Sequence, residues 1–273
     1  MEPGSPLEAL LERVRAGDPQ ATLLARDAGV GAAPGLRPLA AHADADVRRI
    51  ALYCLRETGG PEARAAFLAG LLDGERPVRA AAVAGLDRHF EPSLAPALIE
   101  TYDAASDPFV KERIALLLGR LQPGQVDLAA LAKRRDEERD LRAEEGWLVA
   151  LARLGDAEAR RDFVARLHAS RRDARARYLR HCAAIHAPWL VRPLDPVLDD
   201  ESPMVEVGMD GNPNVPEFLR ACDLAVNLVA SIAGSTFSFE IGVPIQYGSG
   251  QRAEVHRFIQ ALPEVQDAGA RSS

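Results

Sequence analysis

The stretch DVRRIALYCL at residues 46–55 is rewritten thirty-one places on as PVRAAAVAGL, and the echo continues down the chain. Aligned on the small or medium apolar residue that precedes a base, it gives Val47-Arg48, Val78-Arg79, Val110-Lys111, Leu141-Arg142, Ala174-Arg175 and Leu219-Arg220. The first four spacings are 31, 32, 31 and 33 residues, and the last is 45. A period of this length marks a chain built from one supersecondary unit used repeatedly.

Each of the first three copies places apolar residues at helical offsets: Val47, Ala51, Cys54 and Leu55; Val78, Ala82 and Leu86; Val110, Ile114, Leu117 and Leu118. These fall on one stripe of a helix, and that stripe is expected to face inward. Ahead of successive copies comes a second amphipathic stretch: PGLRPLAAHA, PEARAAFLAGLLDG, PSLAPALIETYDAA, DLAALAKRRDEE and AEARRDFVARLHAS. Pro, Gly, Asp and Ser lie between the stretches, where helices are started and stopped. The unit is therefore a helix, a tight turn and a second helix.

Two short helices enclose no core, since each leaves half its apolar stripe in water at about 25 cal/mol per Å². Stacking the copies removes that exposure, with nearest neighbours supplying most of the stability. The predicted fold is all-α: an α-solenoid of about six to seven helix pairs over residues 7–235, closed by a non-repeat C-terminal cap over 236–263. The ends, 1–6 and 264–273, are expected to be disordered.

The motif D-x-x-V-R-x-x-A, carried by DADVRRIALYCL, ERPVRAAAVAGL and DPFVKERIALLL and closed by LG or GD as in LARLGDAEAR, resembles HEAT repeats of the short bacterial type also found in phycobilisome lyases. The resemblance covers roughly residues 35–235 and is specific to fold rather than function. It implies that the recurring base and the acid ahead of the second helix form a ladder, through Arg48, Arg79, Lys111, Arg142, Arg175 and Arg220. Physically, a guanidinium at this place forks onto a carboxylate or carbonyl of the next repeat while its stem lies along apolar surface.

Only Lys111 and Lys133 among the 33 basic residues are Lys, and this Arg- and Ala-rich mixture reads as that of a GC-rich bacterial genome. The formal charge of −7 opposes whole-molecule attraction to nucleic acid or anionic lipid. Cys54, Cys182 and Cys222 lie far apart without a CxxC pair, so buried free thiols are expected rather than a disulfide framework or zinc knuckle. The start MEPGSPLEALLERVRAGD lacks the pattern of a secretory signal, and no run approaches the roughly 20 apolar residues of a membrane span. A cytoplasmic setting is expected.

The pattern breaks in three places. Glu144 and Glu145 stand where earlier copies carry small or apolar residues, and Trp147 and Leu148 then restore the stripe after a small rotation of the helix. Residues 133–180 hold 14 basic against 10 acidic side chains, and Arg171, Arg172, Arg175 and Arg177 have few acids nearby, so they are candidates for docking an acidic partner. Finally, PMVEVGMDGNPNVP at 203–216 replaces a tight turn between PLDPVLDDES and EFLRACDLAVNL, and long loops in economical folds carry function. Met204, Val205, Glu206, Val207, Met209 and Asp210 are the candidate contacts there, with a short strand or hydrophobic lip at Val205, Val207 and Met209. Asp199, Asp200, Glu201 and Asp210 lack the ligand spacing of an EF-hand loop, so no metal is expected.

The helix predicted in LRACDLAVNLVASIAG is apolar on nearly every side, except for a narrow strip of Arg220, Asp223, Asn227 and Ser231. Such a helix must be covered on several faces. The remaining chain, with Phe237, Phe239 and Ile241 followed by Val255, Phe258, Ile259 and Leu262, is the expected cover.

No GxGxxG, Walker A, GxSxG or HExxH motif is present, and the six histidines show no metal-ligand spacing. Similar repeats in iron hydroxylases use His-Glu dipeptides, absent here, and those in alkylpurine DNA glycosylases are strongly basic. The expected function is that of a non-enzymatic adaptor binding another protein or a peptide along the groove or at the 203–216 loop, with no cofactor. The alternatives are a nucleic-acid-binding protein using the Arg-rich 133–180 patch and a phycobilisome-lyase-like enzyme; neither nucleic acid nor membrane is the expected partner.

Overall fold

The computed structural model describes residues 5–206 and 216–263. Among them, fourteen α-helices, several short 3-10 turns and one two-stranded ribbon make up the regular structure, so the fold class is all-α. No helix among the described residues is long and apolar enough to cross a membrane. The chain divides into two compact units, 1–150 and 151–273.

The first unit holds α1 (Pro6–Arg15), α2 (Ala21–Ala28), α3 (Ala33–Leu36), a 3-10 turn at Arg37–Ala41, α4 (Ala45–Thr58), α5 (Pro61–Gly70), α6 (Arg76–His89), α7 (Ala95–Ala104), α8 (Pro108–Leu118), α9 (Leu128–Glu137) and most of α10 (Leu141–Leu154). Helix α1 starts inside the stretch expected to lack order, because Ser5 and Glu8 close a reciprocal capping box and Pro6 occupies the first helical position. Elsewhere an acid does the capping: Asp44, Asp107 and Asp127 accept from the first free N–H groups of α4, α8 and α9.

Like helices pack on like: α4 lies against α6 and α6 against α8, while α5 lies against α7. Every apolar residue assigned to the stripes at Val47, Val78 and Val110 is buried. Glycines set the closest approaches. A Cβ on Gly85 of α6 would overlap the Phe67 ring of α5, and one on Gly119 or Gly146 would meet the backbone of Ala150 or Glu112. Trp147 and Leu148 are buried, with the Trp147 ring 4.9 Å from that of Tyr102. Glu144 lies beside Arg135 at 3.0 Å rather than in the core.

The second unit holds α11 (Ala157–Ala169), α12 (Arg172–Ile185), 3-10 turns at Pro188–Leu190 and Arg192–Asp199, strands β1 (Pro203–Glu206) and β2 (Phe218–Arg220), α13 (Ala221–Ala233) and α14 (Ser249–Ala261). Two expectations are corrected here. PLDPVLDDES does not form an ordinary first helix: Pro193 and Pro196 remove N–H donors, and the segment winds as 3-10. Leu219-Arg220, aligned with the helical copies, instead ends β2, which pairs antiparallel with β1 in the register Pro203↔Arg220, Val205↔Leu219 and Glu206↔Phe218. Helix α13 begins one residue later.

Helix α13 is covered by α12, α14 and the 192–199 turn. Phe237 and Phe239 stack at 5.6 Å and Phe237 meets the Phe258 edge at 5.4 Å, without forming a strand.

Candidate functional site

Of the six repeat bases expected to form a structural ladder, four do the same thing. Arg48 donates to both oxygens of Asp73 at 2.7 and 3.0 Å, Arg79 to Asp107 at 2.6 Å, Lys111 to Glu138 at 3.0 Å and Arg175 to Asp200 at 2.9 Å. In each rung the acid works in two directions. At Asp107, Glu138 and Asp200 one oxygen takes the base while the other accepts a backbone N–H just downstream, from Phe109, Asp140 and Ser202; at Asp73 the oxygen that accepts the Glu75 N–H also takes Arg48 Nη2. The carboxylate thus fixes the chain turn that follows it and ties it to an earlier helix.

These surroundings move the acids. Burial pushes the Glu138 carboxyl up, but hydrogen bonds from Tyr102, the Asp140 N–H, Lys111 and the Arg139 N–H outweigh it and hold the group at about 2. Asp73, Asp107 and Asp200 are likewise held below their ordinary value, burial being outweighed by the bonds just described.

Arg142 and Arg220 depart from the forward ladder. Arg142 turns back to Glu112 and lies over the Phe109 ring, and Arg220 grips Asp223 three residues on and donates to the Tyr247 carbonyl. The reason is written in the spacing. The four rungs join residues 25 to 28 places apart. The corresponding windows for Arg142 (LHAS, 167–170) and Arg220 (IQYG, 245–248) contain no acid.

The proposed docking patch is only partly a surface. Arg171, Arg172 and Arg177 are exposed, whereas Arg175 is 4% exposed and spends its donors on Ser170, the His168 carbonyl and Asp200. Arg175 is therefore a structural rung and is removed from the docking candidates. Arg171 donates to the His168 and Ser170 carbonyls. It shares with Arg175 a cleft of about 400 Å³ that also contains Asp199 and Asp200, so the local positive charge is answered within the cleft. In the loop, Met204 is half-buried and Val205 and Glu206 are exposed on β1; Val207, Met209 and Asp210 lie outside the described residues.

The arrangement best suited to a ligand was not singled out in the sequence. Arg160, Arg161, Val164 and Ala165 share one face of α11, opposite the buried Ala159, Phe163 and Leu167. With Pro188, Trp189, Val191, Arg192, Leu262 and Pro263, they line a cleft of about 630 Å³. The Arg160 guanidinium lies 5.2 Å from the centre of the Trp189 ring, which meets Phe163 edge-on. Arg192 donates to the Leu262 carbonyl at 2.5 Å, tying the end of α14 to the cleft wall. Among the described residues, neither Arg161 nor Arg192 has a carboxylate partner, and no lining side chain is acidic. Trp189 follows Pro188 and lies three residues before Arg192, and that proximity is the clue to it in the sequence.

The remaining reactive groups are withdrawn. Cys54, Cys182 and Cys222 are free and buried, and burial pushes the first two thiols up to about 12. The polar strip of α13 is used internally. Asp223, with no exposed surface, accepts from Arg220, from the Arg220 N–H and from the Tyr247 N–H; Asn227 accepts from the Tyr247 hydroxyl at 2.6 Å; Ser231 meets His186 at 3.0 Å. Compared with known proteins, the sequence matches no family model and no curated protein.

Proposed function

We propose that this chain is a non-enzymatic adaptor, an α-solenoid of short HEAT-like helix pairs with a C-terminal cap, that binds another protein or a peptide in the α11 cleft. The single observation carrying this reading is the lining of that cleft among the described residues: a Trp face and apolar floor beside guanidinium groups. Such a surface offers apolar burial and charge recognition together, as interface centres rich in Trp and Arg do.

The nucleic-acid reading loses support from the ion pairs. Within 133–180, Arg134, Arg135, Arg142, Arg166 and Arg175 sit beside Asp103, Glu144, Glu112, Asp162 and Asp200. Little of the cationic excess remains to follow a phosphate backbone.

The stacking of like helices supports the solenoid, which predicts a radius of gyration well above the about 19 Å of a compact globule of this length. Small-angle scattering measures it, and a globular value counts against the stack. For the function, a photo-crosslinking amino acid replacing Ala165 should trap a discrete polypeptide in lysate of the native host. Absence of any protein adduct would remove the adaptor reading.

A further inference from the structure

We infer that the α11 cleft recognises an acidic peptide segment carrying interspersed large apolar residues; this deepens the adaptor reading and rests on it. Charge complementarity selects the occupant. The whole chain carries a formal charge of −7, yet among the described residues this cleft is lined by Arg160, Arg161 and Arg192 and by no acid. A guanidinium without a carboxylate partner in a partly apolar wall is most strongly compensated by a ligand carboxylate, which accepts its two parallel N–H groups.

Each group has a separate task. Arg161 stands exposed on α11 with no ion pair among the described residues, and offers its full fork to a ligand acid. Arg192 uses Nη2 on the Leu262 carbonyl, which fixes the guanidinium and leaves Nε and Nη1 as donors. Arg160 is held over the Trp189 ring and has contacts of its own, so it supplies charge rather than a vacant fork. Between these, Val164, Trp189 and Val191 form an apolar floor that takes a Leu or Phe side chain. The volume of about 630 Å³ lies within the range of specific ligand sites.

A peptide fits better than a nucleic acid. Single strands are held by a continuous basic groove with several stacking aromatics, whereas among the described residues this cleft offers one indole and two guanidinium groups without acid partners. Beyond it, the net negative charge repels an extended polyanion.

The test uses the full chain and fluorescence anisotropy of a short labelled peptide rich in Asp and Glu with Leu and Phe interspersed. Its controls are the same peptide with Asn and Gln for the acids, and a labelled oligothymidine. The acidic peptide should bind about tenfold more tightly than its amide counterpart. Raising salt from about 50 to about 300 mM should weaken it, because screening shortens the reach of these charges. Arg161→Glu, at an exposed side chain with no ion pair among the described residues, should weaken binding about fivefold or more, and Arg192→Glu should do the same while circular dichroism stays unchanged. No binding of the acidic peptide at about 1 mM, equal affinity for the amide peptide, indifference to Arg161→Glu, or a preference for oligothymidine overturns the inference. If crosslinking at Ala165 still traps a protein in that event, the ligand chemistry is wrong and the adaptor stands; if it traps none, both fall.

Discussion

Arg220 holds Asp223 through two hydrogen bonds of 2.9 Å, from Nε and Nη2, and the acid has no exposed surface. The same carboxylate accepts the backbone N–H of Tyr247, so it joins the start of α13 to the segment leading into α14. Burial pushes the Asp223 carboxyl up, yet the bonds from Arg220 and Tyr247 prevail and keep it below its ordinary value. Replacing it by Asn leaves Arg220 without its counter-charge and one N–H poorly served. Asp223→Asn should cost about 3 kcal/mol in urea unfolding; a loss too small to measure would show that the cluster contributes shape rather than stability.

Forward rungs and the reversed one should differ. Arg79 is largely covered and reaches Asp107 together with the Asp73 and Gly74 carbonyls, whereas half of the Arg142 side chain remains exposed. Arg79→Ala is expected to destabilise by about 2 kcal/mol, and Arg142→Ala by about 0.5 kcal/mol, as for exposed pairs. Equal losses in chemical denaturation would contradict the distinction.

Acid should loosen the rungs in a defined window. Glu138, at about 2 in the folded chain, lies below its ordinary 4.5, so its contribution is complete above that value and drains away as pH falls toward about 2. Asp73, Asp107 and Asp200, also depressed, act in the same direction. Thermal melts of Glu138→Gln should lie below the wild type at pH 7 and converge on it near pH 2. Parallel curves across that range would be incompatible with a depressed Glu138.

At the α5–α6 contact, a methyl group on Gly85 collides with Phe67, while Gly74 has open space around its missing Cβ. Gly85→Ala should therefore lose about 1–3 kcal/mol through overpacking, and Gly74→Ala should stay within about 0.5 kcal/mol. Matched denaturation midpoints of the two variants decide it.

Thiol chemistry offers an independent check on burial. With Cys54, Cys182 and Cys222 all inaccessible, a disulfide reagent at pH 8 should label the native protein only as fast as it unfolds. Urea should release all three at once or unit by unit. A cysteine modified within seconds in buffer would reveal an opening that the packing does not contain.

Local periodicity determined a good deal of this molecule. Residues 47, 51, 54 and 55 share a helix face whatever surrounds them, because 3.6 residues complete a turn, and the same arithmetic locates the stripes at Val78 and Val110. The resemblance implied a rung from all six bases; the structure forms four, each to an acid 25 to 28 residues beyond the base, and Arg142 and Arg220, with LHAS and IQYG in that window, form none. Tertiary structure decided what periodicity is blind to. Arg175, expected both as a ladder base and as a docking candidate, is buried against Ser170 and Asp200, whereas Arg161 on the preceding helix is left facing a cleft. Trp189 becomes a cleft wall only when α11, the 188–192 segment and the end of α14 converge, a meeting of residues some seventy positions apart that no local pattern encodes. A side chain's face follows from the turn of its own helix; its partner follows from which distant segment packs beside it.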